Sequence, residues 1–154
     1  MAIRSWAKTR EPIRTNNAVN KTFSFYFVVA NIHRIMKDYE EARVCYTDAL
    51  KTANDQYKPT KKEIFTERSN TNYEIGLVNF NSKNYDEAIQ NYKDAIEDNS
   101  ENGNAHYELG KTLCYLRMWE EAVHQFDLIL EHGFRNIDLK TVKDSRNYAA
   151  RMIE

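Results

Sequence analysis

Proline, glycine and cysteine are all scarce in this chain of 154 residues, with two, four and two copies. So few breakers argue for helices rather than for strands joined by tight turns. The cysteines, Cys45 and Cys114, are too few for a disulfide framework and are expected to be reduced packing residues. Four histidines, at 33, 106, 124 and 132, show no Cys/His ligand spacing, so no metal is expected. Long apolar runs are missing too. The longest, FYFVVA over 25–30, is too short to cross a bilayer. Charge of one sign is also missing: net charge is −1, which leaves no global field to attract nucleic acid. Finally, no Gly-rich phosphate loop, H-E-x-x-H or G-x-S-x-G occurs, and no paired carboxylates mark a pocket. No enzyme and no cofactor are expected.

What remains is an ordinary soluble composition, 42% hydrophobic and 29% charged, in a length suited to one domain. Residues 1–21 carry Arg4, Lys8, Arg10, Arg14 and Lys21 against one acid, Glu11. This reads as a basic N-terminal arm. The alternative is a mitochondrial targeting segment.

One phrase recurs three times: YEEARVCYTDAL (39–50), YDEAIQNYKDAI (85–96) and WEEAVHQFDLIL (119–130). Ile75/Leu109, Gly76/Gly110, Tyr85/Trp119, Ala88/Ala122 and Tyr92/Phe126 all pair at a spacing of 34. Two antiparallel helices of about 14 residues with short turns take up about 34 residues. The phrase is then the second helix (B) of each hairpin. First helices (A) are expected over about 22–36, 69–82 and 104–117, and B helices over about 39–56, 85–98 and 119–131. Gly76 and Gly110 are expected where A and B press together, since a mid-helix glycine costs up to about 1 kcal/mol without a packing reason. Ala88 and Ala122 supply the small partner on helix B. Tyr92 and Phe126 follow four residues on, on the same face.

These residues resemble the tetratricopeptide repeat pattern, W-x2-L-G-x2-Y…A-x3-F…P. Ile75-Gly76 and Leu109-Gly110 match L-G, while Ala88–Tyr92 and Ala122–Phe126 match A-x3-F. Asn72 and His106 stand at the Trp place, and the closing Pro is absent. The resemblance implies an all-α helical-hairpin repeat solenoid. The expected layout is three repeats within 22–134 (about 22–56, 69–102 and 103–134), with a C-terminal capping helix in 137–154 whose apolar stripe is Val142, Ala149 and Met152 or Ile153. In the first repeat Ala30 takes the glycine place.

Ala42 to Ala88 spans 46 residues, so 12 extra residues precede the second repeat, around DQYKPTKKEIFTERS. Pro59 blocks one continuous helix, and Thr60…Glu63 reads as a capping box. The expectation is a lengthened B helix, a turn at 57–60 and an early start to the next A helix, with TERSNTN (66–72) solvated. Asp38…Glu41 and Asn84…Glu87 read as N-cap pairs. Met118 replaces the cap in the third repeat, whose turn is expected to lean on Trp119.

The resemblance implies that partners lie on the inner face of the A helices. The positions carried over are Phe27, Asn31 and Arg34; Asn70, Tyr73, Glu74, Leu77 and Asn81; and Asn104, Tyr107, Glu108, Lys111 and Tyr115. Family members that hold acidic Hsp70 or Hsp90 tails use a basic clamp here. This chain offers Phe27, Glu74, Asn104 and Glu108, with Asn31 the one agreement, so such a tail is not the expected partner. A segment with apolar and basic groups fits better. The expected function is a non-catalytic cytoplasmic adaptor or scaffold for a protein or peptide partner. The alternative is an accessory subunit of a large assembly, for example ciliary or mitochondrial. Neither RNA binding nor a membrane span is expected.

Overall fold

The computed structural model describes residues 23–53 and 58–153. Among these residues the chain forms seven helices and no strand. They are α1 (Phe23–Ile35), α2 (Tyr39–Thr52), α3 (Lys58–Asn81), α4 (Tyr85–Asp98), α5 (Gly103–Tyr115), α6 (Trp119–His132) and α7 (Leu139–Arg151). The basic arm, 1–21, lies outside the described residues. Two compact units divide the chain, residues 1–64 and 65–154, with the boundary inside α3.

The repeated phrase is a packing device in both units. Each B helix buries residues at i, i+4 and i+7: Ala42, Tyr46 and Ala49 on α2; Ala88, Tyr92 and Ala95 on α4; Ala122, Phe126 and Ile129 on α6. That spacing puts all three on one helical face. In the first unit, Ala30 and Ile64 complete this core, with Tyr26, Phe27, Cys45 and Leu50 packed against it. In the second, Leu109, Leu113, Val142 and Ala149 join α4 and α6. A Cβ on Gly76 would stand 2.5 Å from Tyr92 Cε1, and one on Gly110 2.6 Å from Phe126 Cε1. The glycines therefore admit the aromatic rings that fill each hairpin.

All three A–B turns share one backbone solution. Lys37, Lys83 and Arg117 adopt positive φ of 61°, 65° and 62°. The N–H groups of Asp38, Asn84 and Met118 reach back to the carbonyls of His33, Asn79 and Leu113, each at 2.9 Å. This is the Schellman arrangement, which satisfies the last carbonyls of the A helix. It corrects the capping expectation. Asp38 and Asn84 are the N-cap residues, but neither makes a side-chain cap bond. Met118 makes no side-chain cap bond either, and its turn has the same backbone form.

The insertion also falls differently. α2 ends at Thr52 rather than 56, and Ala53 is extended with its N–H on the Ala49 carbonyl. Residues 54–57, where a turn was expected to begin, lie outside the described residues. The added length is in α3, a helix of 24 residues. Pro59 is its second residue, where a helix needs no N–H.

TERSNTN is not solvated. Ser69 and Thr71 are wholly buried and Asn72 nearly so. Ser69 donates to the Ala95 carbonyl (2.6 Å) and accepts from Asn102 Nδ2 (2.8 Å). Asp98 accepts from Arg68 Nε (2.8 Å), from Arg68 Nη2 and from Asn72 Nδ2 (3.1 Å). Asn102 also caps α5 by accepting from the Ala105 N–H. Polar side chains can be buried here because they find partners across α3, α4 and the start of α5, although Asn72 Oδ1 is buried without one.

The C-terminal helix covers α6. Asp138 caps it, accepting from the Lys140 and Thr141 N–H groups. Val142 and Ala149 face the core, and Arg146 Nε reaches Asp127 at 2.9 Å. Met152 and Ile153 do not join the stripe. They follow the helix end at Arg151 and remain exposed.

Candidate binding face

In the second compact unit, α3 and α5 bring together six of the residues expected on a partner-binding face. Tyr73, Glu74 and Leu77 lie half-buried on α3. Tyr107 and Glu108 lie half-buried on α5, with Lys111 exposed beside them. The Tyr73 ring rests on Tyr92 (6.3 Å between centroids) and the Tyr107 ring on Phe126 (5.9 Å). The Tyr107 hydroxyl is 3.4 Å from Ser145 Oγ of α7. Both tyrosines are thus held from beneath by the core and leave one side toward the face.

The electrostatics tie these residues into one cluster. Burial raises the Tyr73 phenol above its ordinary range, and the charges of Glu108 and then Glu74 add to it. Burial likewise pushes Tyr92 up, with Glu108 and Tyr73 adding. A carboxylate on α5 therefore acts on phenols of α3 and α4. The Tyr92 hydroxyl is buried without a hydrogen-bond partner. Lys111 Nζ sits 2.9 Å from both Glu108 oxygens and 5.4 Å from the centre of the Tyr107 ring. Two carboxylates and one ammonium leave this face net negative.

The other expected positions fall elsewhere. Tyr115 is the last residue of α5 and joins an aromatic group with Phe80 and Tyr85 at the turn end, 6.0 and 4.9 Å away. Asn81 and Asn104 are exposed, at the end of α3 and the beginning of α5, and Asn70 is half-buried. In the first compact unit, Phe27 packs on Tyr46 at 5.9 Å and Asn31 Oδ1 accepts from the Tyr46 hydroxyl at 2.7 Å. Arg34 is half-buried. Asn31 thereby satisfies a buried phenol inside the hairpin. The Arg68–Asp98–Asn72 network and the support of Tyr107 by Ser145 were not foreseen. Their partners lie 26 to 38 residues apart in the chain, and no local pattern announces them.

Among the described residues, no three His, Cys, Asp or Glu side chains cluster to hold a metal ion. Burial, then Asp48 and Glu41, push the Cys45 thiol up to about 11, and burial also raises Cys114. Both are protonated packing residues at neutral pH.

Two family models match the chain. The tetratricopeptide repeat model matches residues 23–56 and the TPR repeat model residues 76–114. The chain belongs to the tetratricopeptide repeat family. Among solved structures, this tetratricopeptide repeat protein is similar to the first TPR of Spaghetti (RPAP3), solved with an HSP90 peptide, SRMEEVD. That match has 19% identity over 86% of this chain and 94% of the other, with a TM-score of 0.47. It is similar to the Arabidopsis OM64 TPR domain at 17% identity over 84% and 94%, with a TM-score of 0.47. It also resembles a tetratricopeptide repeat protein from Parabacteroides merdae at 18% identity over 97% and 51%, with a TM-score of 0.49. No curated protein matches the sequence. Tetratricopeptide repeats are protein–protein interaction modules, and no helix among the described residues is long and apolar enough to cross a membrane.

Proposed function

We propose that this chain is a non-catalytic cytoplasmic adaptor whose α3–α5 face holds a protein segment rich in apolar and basic side chains. One observation carries this reading: two carboxylates, Glu74 and Glu108, share a face with two tyrosine rings braced by the core. Aromatic surface and unbalanced negative charge suit a partner of that composition. The test is a pull-down with mass spectrometry, comparing the wild type with a variant carrying Tyr73→Phe, Glu74→Lys, Tyr107→Phe and Glu108→Lys. The retained rings preserve the packing, so proteins lost from the variant at unchanged circular dichroism are those held by this face. An unchanged set of captured proteins would overturn the reading.

The same charges disfavour an acidic C-terminal tail of the kind bound by the Spaghetti (RPAP3) domain. Isothermal titration with an EEVD-ending peptide is expected to show no binding. Tight binding would contradict the proposed partner chemistry.

A second reading, an accessory subunit of a larger assembly, has its own support. Val28, Ile32 and Ile35 leave an exposed apolar stripe along α1 at helical spacing, continued by Met36 just past its end. A chain that melts cooperatively alone favours the adaptor, and one that is loose until a partner is added favours the subunit.

A further inference from the structure

Asn102 and Gly103 form the only Asn-Gly pair in the sequence. In a freely moving chain an Asn-Gly pair deamidates faster than other asparagine pairs, because glycine sets no side chain in the way of its own nitrogen. Here both residues are buried, at the junction of α4 and α5.

Each group that this reaction needs is held in place. The Gly103 N–H, whose nitrogen is the nucleophile, donates to the Glu101 carbonyl at 2.8 Å. Asn102 Oδ1 accepts from the Ala105 N–H at 3.2 Å. Asn102 Nδ2, the leaving group, donates to Ser69 Oγ at 2.8 Å, and Ser69 gives its own proton to the Ala95 carbonyl at 2.6 Å. A carboxylate at 102 would set an acceptor against Ser69 Oγ, so either this bond or the bond to Ala95 would be lost. Gly103 is confined as well. A Cβ there would stand 2.8 Å from Phe134 Cβ and 3.2 Å from Ile137 Cδ1. A main chain lengthened just before Gly103 has no free space on that side.

We infer that Asn102-Gly103 is a covalent modification site that the fold keeps closed and that reacts when the α4–α5 junction opens. The site goes beyond the proposed binding role and does not depend on what the α3–α5 face holds. On opening, the Gly103 nitrogen attacks Asn102 Cγ. The new bond closes a cyclic imide, the Cγ–Nδ2 bond breaks, and Nδ2 leaves as ammonia carrying the Gly103 proton. Water then opens the imide at one carbonyl or the other and leaves aspartate or isoaspartate. Aspartate loses the amide donor to Ser69, and isoaspartate adds a methylene to the main chain beside Phe134. Neither product reverts on refolding, so a chain that has opened and reacted seats α5 against α3 less firmly afterwards.

The test follows deamidation of the full chain by peptide mapping, in alkaline buffer with and without urea. Asn81-Ser82, exposed at the end of α3, is the internal reference. In urea, Asn102 is expected to react faster than Asn81. In the folded chain it is expected to react at least about tenfold more slowly than in urea, and more slowly than Asn81. Ser69→Ala, at unchanged circular dichroism, should speed the folded reaction at Asn102 and leave Asn81 alone. Chains that have reacted at 102 in urea should melt at lower temperature after refolding. Asn102→Ser, which cannot form the imide, should return from the same treatment to its own starting curve. A folded chain in which Asn102 reacts as fast as in urea overturns the inference, as does an unchanged rate in folded Ser69→Ala. Reacted chains that regain the melting curve of unreacted ones overturn it too.

Discussion

Tyr46, Tyr92 and Phe126 occupy one position in three hairpins, yet their para positions have three different fates. The Tyr46 hydroxyl donates to Asn31, the Tyr92 hydroxyl is buried without a partner, and Phe126 has none. Leu77 and Lys111 stand where Asn31 stands, so only the first repeat supplies an acceptor. A buried hydrogen bond contributes about 1 kcal/mol net, while an unsatisfied polar group costs about 1–3 kcal/mol. Tyr46→Phe should therefore destabilise by about 1 kcal/mol, and Tyr92→Phe should be neutral or stabilising. Urea unfolding of the two variants distinguishes these signs. The glycines give a second test at this scale. Alanine is the better helix former, but at 76 its Cβ would meet a buried ring that has no room to withdraw. Gly76→Ala is expected to destabilise by about 1–3 kcal/mol through overpacking, despite its propensity gain. A rise in melting temperature would contradict the close approach.

At the scale of elements, the helices were legible wherever their cause is local. The Ala-x3-aromatic phrase marks the buried face of α2, α4 and α6, because side chains at i and i+4 must share a face. Tyr73, Glu74, Tyr107 and Glu108 are placed on one face by the family resemblance, in which they recur at the 34-residue period. The turns were less legible. Asp38 and Asn84 look like side-chain caps, but the backbone closes these turns itself through Lys37, Lys83 and Arg117 in the left-handed region. Long basic side chains carry no signal for that conformation. Tyr115 kept the register of α5 but, as its last residue, packs toward the turn. TERSNTN misled most. Its polarity signals solvent, whereas Arg68, Ser69 and Asn72 find partners only after α4 and α5 fold against α3. Asp98 is nearly buried, at 5% side-chain exposure, so removing its cation should be costly. Arg68→Met is expected to destabilise by about 3 kcal/mol. A surface-like loss below about 1 kcal/mol would mean the network is solvated after all.

At the scale of the whole molecule, the repeats say how the chain folds, and the individual residues on the α3–α5 face say what it can hold. The repeated aromatics and alanines are consumed by packing. Glu74 and Glu108 are not required by that packing, and the proposed function assigns the choice of partner to their charge. The most direct measurement is a peptide-display selection against the immobilised full chain, followed by affinities of the selected peptides for a Glu74→Lys, Glu108→Lys variant. The expected result is enrichment of lysine or arginine beside large apolar residues, depletion of aspartate and glutamate, and affinity weakened about tenfold or more by the variant. An acidic consensus, or peptides that bind the variant as tightly as the wild type, would contradict the proposal that this face is the binding site.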